Sequence, residues 1–477
     1  MLSTVFLLKR INMEIKDIER VYFVGIGGIG MAALARYFLS LGLPVAGYDR
    51  TPSALTAELE HEGAVISFTD SMEAVPEPFR MPHGTLVVYT PAVPDSNIPL
   101  SFFRDGGFEV RKRAYVLGQV SRHSKGICFA GTHGKTTTSS MAAHILKCGQ
   151  GCNAFLGGVL KGYNTNLLLS PGAEFCVMEA DEYDRSFHHL SPYIAVITAT
   201  DPDHLDIYGT EEAYLESFAH FTELIVPGGA LVVREGLKLK SRQGKDVRRY
   251  TFGRTSGDFH SANERFGNGT IVFDFVHPHG SITDIELGVP VDVNIDNAIA
   301  ALAAVWLTGT LTPELARTAM ASYPGVERRF ERRWREEDGR KRVIIDDYAH
   351  HPEEVARSIA SVRAVYPDRH LTVAFQPHLY SRTRDFAPEF AQALSLADAV
   401  VLADIYPARE LPIEGVTSKI IFDDVKCTDK VMIFKEDFVK TMKNRNFDIL
   451  LTLGAGDLNL QIAPLIAQLE NKAKTPL

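Results

Sequence analysis

No stretch of this chain approaches the roughly 20 consecutive apolar residues that a membrane-spanning helix needs. Its first residues hold only the short apolar run Val5 to Leu8, with no signal-peptide cleavage pattern, and Met13 offers a second start. The expectation is a cytoplasmic protein that does not insert into membranes. An excess of positive charge is also missing: 50 Lys and Arg stand against 59 Asp and Glu, a formal net charge of -9. That balance excludes a broad basic surface for nucleic acid, so any phosphate must be held by local devices. The five cysteines, Cys128, Cys148, Cys152, Cys176 and Cys427, are odd in number and lie at spacings that suit no zinc module or disulfide framework. No lysine occurs between Gly162 and Leu237.

What is present is ample. The 477 residues, 45% hydrophobic and 23% charged, suffice for roughly three domains of ordinary size. Short β-branched runs recur, each followed by a helical pattern, from Val21 to Val24 and Val45 to Tyr48 through to Leu371 to Phe375 and Ile449 to Leu453. That alternation predicts parallel sheets with crossover helices. It breaks around Gly118 to Lys125 and again around Tyr323 to Arg329, which sets expected domains of 1–120, 121–323 and 324–477. Between Arg242 and Pro290 short alternating segments such as Thr270 to Val276 predict an antiparallel appendage on the central domain.

Two phosphate-binding patterns stand out. Gly25-Ile26-Gly27-Gly28-Ile29-Gly30 follows a strand and opens a helix, with Asp49 ending the next strand. Glycines there admit a diphosphate to the helix N-terminus, which fits a dinucleotide or a nucleotide sugar; glycines serving tight packing alone are the bland alternative. The second pattern is Gly131-Thr132-His133-Gly134-Lys135-Thr136-Thr137-Thr138, between the strand Ile127 to Ala130 and a helix. Phe129 stands where a full P-loop has its first glycine, yet the working end is intact: backbone N–H groups, Lys135 for the β- and γ-phosphates of ATP, and Thr136 for Mg²⁺.

Glu179-Ala180-Asp181-Glu182 ends a strand, and Asp203-His204-Leu205-Asp206 follows another. Acid clusters on loops are usually only solvated, but strand C-terminal ends are where an open parallel sheet holds its ligands. Glu179 and His204 are therefore candidate metal ligands beside the P-loop. A dehydrogenase needs only the first phosphate pattern and a simple ATPase only the second. A ligase that joins a nucleotide-linked substrate to something else needs both, while an NAD-dependent dehydrogenase leaves Lys135, Glu179 and His204 without work.

The same residues carry a family resemblance. Gly131 to Thr138, Glu179 to Glu182, Asp203 to Asp206, Asn294 and Asn297, Gly325 to Phe330 and Asp346 to Pro352 resemble the ordered motifs of the Mur ligases, over about Ile18 to Ala463. Gly25 to Met31, Gln376 to Arg384 and Gly454 to Asp457 are similar to the alanine-adding branch. One departure is Val293, where the family usually has His before the first adenine-contacting Asn. The resemblance implies an α/β fold of three domains, each with a mostly parallel sheet: Rossmann-like at the N-terminus, P-loop ATPase-like in the centre and Rossmann-like at the C-terminus. It further implies ATP and two Mg²⁺ ions as cofactors, UDP-N-acetylmuramate and L-alanine as substrates, and a monomer or homodimer. The carboxylate of the sugar acid would attack the γ-phosphate of ATP, and the amine would capture the acyl phosphate.

Roles follow the motifs. Lys135, Glu179 and His204 would be catalytic, with Thr136, Glu179 and His204 on the metals. Gly131, Thr132, His133, Gly134, Lys135, Thr136 and Thr137 would hold the ATP phosphates, Asn294 and Asn297 adenine, Asp347 the ribose and Arg329 the phosphates. Gly25, Gly27, Gly28, Gly30, Asp49, Thr90 and Asn166 would bind the UDP-sugar, and His350, Arg382 and Arg384 the amino acid. The bland reading of Ser381 to Phe386 is a charged, capped helix start. The nearest rival within the resemblance is the ligase that reattaches a recycled tripeptide to the same UDP-sugar acid. The missing lysines matter here: sibling ligases hold a second Mg²⁺ with a carbamylated lysine shortly after the Asp-His motif, and this chain has none there.

Overall fold

The computed structural model describes residues 17–473, apart from 123, 203, 204, 268, 337–340 and 409. His204 and Asp203 lie outside the described residues. The chain divides into two compact units, one made of the residues up to His260 with Phe275–Ser281 and Asn297–Ala319, the other of Ser261–Asp274, Ile282–Asp296 and the residues from Met320 on.

The first unit begins with a five-stranded sheet in the order β3-β2-β1-β4-β5, formed by β1 (Arg20–Val24), β2 (Val45–Tyr48), β3 (Val65–Ser67), β4 (Thr85–Tyr89) and β5 (Glu109–Lys112). Four of the five residues of β1 are fully buried, as a parallel strand covered on both faces requires. Val24 pairs with Tyr48 on one side and Tyr89 on the other, so Gly25, Asp49 and Thr90 leave the sheet at one edge.

Seven strands form the second sheet of this unit, in the order β12-β11-β10-β6-β9-β7-β8. They are β6 (Lys125–Ala130), β7 (Asn153–Leu160), β8 (Thr165–Leu168), β9 (Phe175–Ala180), β10 (Pro192–Ile197), β11 (Ala230–Arg234) and β12 (Arg248–Phe252). Only β7 and β8 pair antiparallel in it. Ala130 is level with Ala180 and Ile197, so Gly131, Asp181 and Thr198 emerge together.

A buried arginine ties these two sheets together. Arg36, 7% exposed on the helix Ile29–Ser40, pairs with Glu58 and Glu62 at 2.8 and 2.9 Å and donates to Asn166 Oδ1 at 2.8 Å. Asn166 in β8 donates in turn to the Ile29 carbonyl at 2.6 Å. Removing the guanidinium strands a buried amide oxygen and two half-exposed carboxylates. We expect Arg36→Met to cost about 1–3 kcal/mol of stability, read from the urea midpoint at unchanged slope.

A three-stranded sheet, β13-β14-β15, follows: β13 (His260–Gly267), β14 (Thr270–His277) and β15 (Gly280–Glu286). The two-residue link Pro278-His279 forces β14 and β15 antiparallel, as expected for the appendage. The second unit is built on six strands in the order β16-β17-β21-β18-β19-β20. These are β16 (Glu331–Arg335), β17 (Val343–Asp347), β18 (Leu371–Phe375), β19 (Ala399–Leu402), β20 (Asp429–Met432) and β21 (Ile449–Leu453). All pairings are parallel except β16 with β17, and Leu453 is level with Asp347 and Phe375. No helix among the described residues is long and apolar enough to cross a membrane.

Candidate active site

The phosphate-binding turn follows from its glycines. Gly131 adopts φ 138° and Gly134 φ 82°, values that L side chains rarely take, and a Cβ on Gly131 would collide with Thr198 Oγ1. The chain can thus turn sharply from β6 into the helix Lys135–Cys148, whose first N–H groups are left for a ligand. Thr198 Oγ1 braces the turn by donating to the His133 carbonyl at 2.5 Å, and Thr132 Oγ1 donates to the Asp201 carbonyl at 2.7 Å.

Lys135 lies in this turn with its side chain 13% exposed. Its Nζ donates to the Gly131 carbonyl at 2.6 Å and to Glu182 Oε1 at 2.9 Å, with Glu182 Oε2 at 2.8 Å. Burial disfavours the ammonium, but the Glu182, Glu179 and Asp181 carboxylates outweigh it and lift the Lys135 pKa above the ordinary lysine value. The group is a fixed positive charge at neutral pH. Thr136 Oγ1 donates to Glu179 Oε2 at 2.8 Å, so a hydroxyl and a carboxylate meet beside the helix N-terminus. Gly157 makes room for that carboxylate, since a Cβ there would run into it. Asn297 sits against the same turn, accepting from Thr138 Oγ1 at 3.1 Å.

At the edge of the first sheet the glycine-rich loop is pinned by Asp49, whose Oδ2 accepts from Gly27 N at 2.7 Å. Gly25 has φ 90°, and a Cβ on it would press on Thr90 at 2.7 Å. Gly25, Gly27, Asp49 and Thr90 therefore converge. Beside Gly30 lies the guanidinium of Arg113, which also reaches Asp181 at 3.2 Å. Sequence reasoning missed Arg113, because nothing distinguishes it from its basic neighbours Arg111 and Lys112. It missed the Glu182 pairing as well. Asn166, expected at the sugar, is fully buried, with its oxygen on Arg36 and its nitrogen on the Ile29 carbonyl. Its work is to fix the helix that starts at the glycine-rich loop.

In the second unit Asp347 ends β17, accepting from Phe330 N at 3.2 Å and from Ser358 Oγ. Burial raises its pKa against the opposing pull of Ser358 and Arg329. Arg329 and Arg328 both lie over the Tyr348 ring, at 5.3 and 5.0 Å. Asn294 is buried and donates to the Val289 carbonyl at 3.1 Å. His350 faces His378, ring centres 6.1 Å apart, and His378 stacks on Tyr406. Burial holds the His350 imidazole below its usual pKa despite nearby Glu354, and Arg382 adds to that depression, so the ring is neutral at pH 7. Arg382 Nη1 is buried without a hydrogen-bond partner among the described residues, a donor left for an anion. Arg384 diverges from it, exposed and paired with Asp385 at 2.8 Å. Tyr406 had no signal in the sequence.

Asp346 carries a testable pH signature. Burial pushes its pKa from 3.8 to about 6, against the pull of Thr452 and of Arg328 3.7 Å away. Between those values the folded chain binds the proton that the unfolded chain has lost, so this group's contribution is full below pH 3.8 and fades as pH rises through about 6. We expect stability at pH 4.5 relative to pH 7 to drop in Asp346→Asn compared with the parent, read by thermal melts across that range.

Three family models cover the chain in order: the Mur ligase family catalytic domain at residues 20–125, the Mur ligase middle domain at 129–305 and the Mur ligase glutamate ligase domain at 328–456. The UDP-N-acetylmuramate–L-alanine ligase of Phocaeicola vulgatus is 55% identical over 96% of this chain and 100% of its own length. With the P-loop turn, the Thr136–Glu179 contact and this full-length similarity together, the chain belongs to the Mur ligase family. The ligase of the same name from Parabacteroides distasonis is 53% identical over 95% of this chain and 98% of its own. Among solved structures, UDP-N-acetylmuramate-alanine ligase from Thermotoga maritima superposes with a TM-score of 0.81 at 27% identity, covering 95% of this chain and 99% of that one. A murein peptide ligase from Psychrobacter arcticus shares the fold, with a TM-score of 0.64 at 20% identity over 95% of this chain and 99% of that one.

Proposed function

We propose that this enzyme joins L-alanine to the lactyl carboxylate of UDP-N-acetylmuramate, converting ATP to ADP and phosphate. The observation that carries this reading is the 55% identity, end to end, to a ligase of that name. The P-loop turn, with its buried Lys135, supplies the matching chemistry. In the first step a carboxylate oxygen attacks the γ-phosphorus and ADP leaves; in the second the alanine nitrogen attacks the acyl carbon, phosphate leaves and the amine gives up its proton. Neither step asks the protein for a covalent bond. Its contribution is charge neutralisation and positioning.

Lys135 would neutralise the transferring phosphoryl group, and the N–H groups of the Gly131–Thr137 turn would hold the ATP phosphates. Thr136 and Glu179 fit Mg²⁺, since they offer two hard oxygens side by side and this ion keeps most of its waters. His204 is the proposed further ligand for a second ion. When bound, Mg²⁺ supplies Lewis-acid stabilisation of phosphate and acyl oxygens. Gly25, Gly27, Gly28, Gly30, Asp49 and Thr90, joined by Arg113, would hold the UDP diphosphate. Asn294, Asn297, Asp347 and Arg329 would bind the rest of ATP. His350 and Arg382 would hold alanine, the arginine through its buried Nη1; Arg384 would stay outside this pocket. We assign these roles to domains 1–120, 121–323 and 324–477 of a cytoplasmic enzyme.

Competition between L-alanine and the recycled tripeptide, read by mass spectrometry of the UDP-linked product, tests the amino-acid assignment. A product that carries mainly tripeptide refutes it. A further expectation follows from the lysine-free stretch Gly162 to Leu237. Turnover should be indifferent to CO₂ removal, and recovery of lost activity by bicarbonate at constant pH would show that a carbamylated lysine is recruited from elsewhere.

A further inference from the structure

Within the second unit a cavity of about 700 Å³ opens where β19 and β20 end, the edge at which open α/β sheets receive ligands. None of its lining residues has a role in the reaction proposed above. Its floor holds the buried Ile405 and Val416, and Met432 and Phe434 stand 45% and 69% exposed beside them, while Asp404, Thr417, Ser418, Lys419 and Asn444 add polar groups to the walls. Large apolar side chains left in water beside a hollow mark a surface that gains by being covered. The polar rim is equally informative. Asp437 and Lys440 lie three residues apart on the first turn of the helix Phe438–Asn444 and the residue before it, both exposed, and neither carboxylate nor ammonium has an ion pair among the described residues. Of the charged lining groups, Asp404 accepts from Lys435 N and Lys419 pairs with Asp423, so Asp437 and Lys440 are the two charges of opposite sign left beside the apolar floor.

We propose that this cavity is a second amino-acid site, one that takes a zwitterion with a large apolar or aromatic side chain. The α-ammonium would meet Asp437, the α-carboxylate Lys440, and the side chain would cover Met432 and Phe434 from within. A neutral ring would use the apolar floor and leave both charges to water. Alanine, with one methyl group, would leave most of the hollow unfilled. The site also has a route to the reaction. Tyr380 lines the cavity and begins the helix Tyr380–Asp385, which carries Arg382. Its neighbour Ser381 is held by Glu410, N to Oε2 at 2.9 Å, and Glu410 sits on the loop between the lining residues Ile405 and Val416. An occupant that shifts this loop shifts Ser381 and with it Arg382. That consequence, a changed KM for alanine, rests on the function proposed above; the binding itself does not.

Calorimetric titration of the full chain with L-phenylalanine, at up to ~10 mM, tests the site. One phenylalanine should bind per chain and should not be displaced by L-alanine. Asp437→Asn and Lys440→Gln should each weaken it by roughly two- to fivefold, as expected for exposed charge pairs. Thr441→Trp, which fills the cavity from its wall, should abolish binding while the melting temperature and ADP binding stay at parental values. Absence of binding to the parent chain, unchanged binding in Thr441→Trp, or simple competition with L-alanine would each overturn the proposal. If Thr441→Trp fails to fold, the two charge variants still decide it, because binding that ignores both of them is not the site described.

Discussion

Lys135→Ala should lower kcat by roughly a hundredfold or more while leaving the chain folded, by analogy with the loss of one preorganised charge-stabilising donor. The lysine ammonium is buried, held charged by three carboxylates and anchored by the Gly131 carbonyl at 2.6 Å. It needs no reorganisation when negative charge gathers on the transferring phosphoryl. Alanine removes that charge and leaves Glu182, 2% exposed, without its counter-ion. Lys135→Arg keeps the charge but not the compact point of attachment, so it should recover little. Steady-state kinetics at saturating ATP check this, with the melting temperature as control. A rate within threefold or so of the parent would mean that the turn does not serve phosphoryl transfer.

Glu179→Gln should cost about as much, roughly 10²- to 10³-fold in kcat, and should raise the Mg²⁺ concentration needed for half-maximal rate. The substitution preserves size and the acceptor toward Thr136 but removes the charge that a divalent ion requires. The shift in Mg²⁺ requirement is the discriminating readout. A fall in kcat with an unchanged Mg²⁺ titration would move Glu179 from metal binding to some other task.

Much of this site was legible in the sequence because its parts are local. The turn Gly131 to Thr138 reads directly, since glycine freedom, a lysine and a hydroxyl at fixed offsets make one device. Thr136 and Glu179 could be joined on paper because β6 and β9 were both recognisable as buried parallel strands. The pairing of Lys135 with Glu182 was not readable: it spans 47 residues and depends on the 3₁₀ turn Tyr183–His189 that follows. Likewise β5, Glu-Val-Arg-Lys, has no apolar period to betray a strand, and Arg113 follows it unseen. Asn166 drew notice only as a sugar contact, and its bonds to Arg36 and the Ile29 carbonyl, 130 and 137 residues away, could not be read from the sequence. Arg382 and Arg384 part ways because residues two apart on a helix do not share a face: Arg382 Nη1 is buried, whereas Arg384 is exposed and pairs with Asp385.

If the glycine-rich loop and the P-loop serve a single reaction, ADP should form rapidly only when UDP-N-acetylmuramate, L-alanine, ATP and Mg²⁺ are all present, with one amide product per ADP, as read from ADP release with each component omitted in turn. ADP formation that proceeds equally well without the UDP-sugar acid would contradict it.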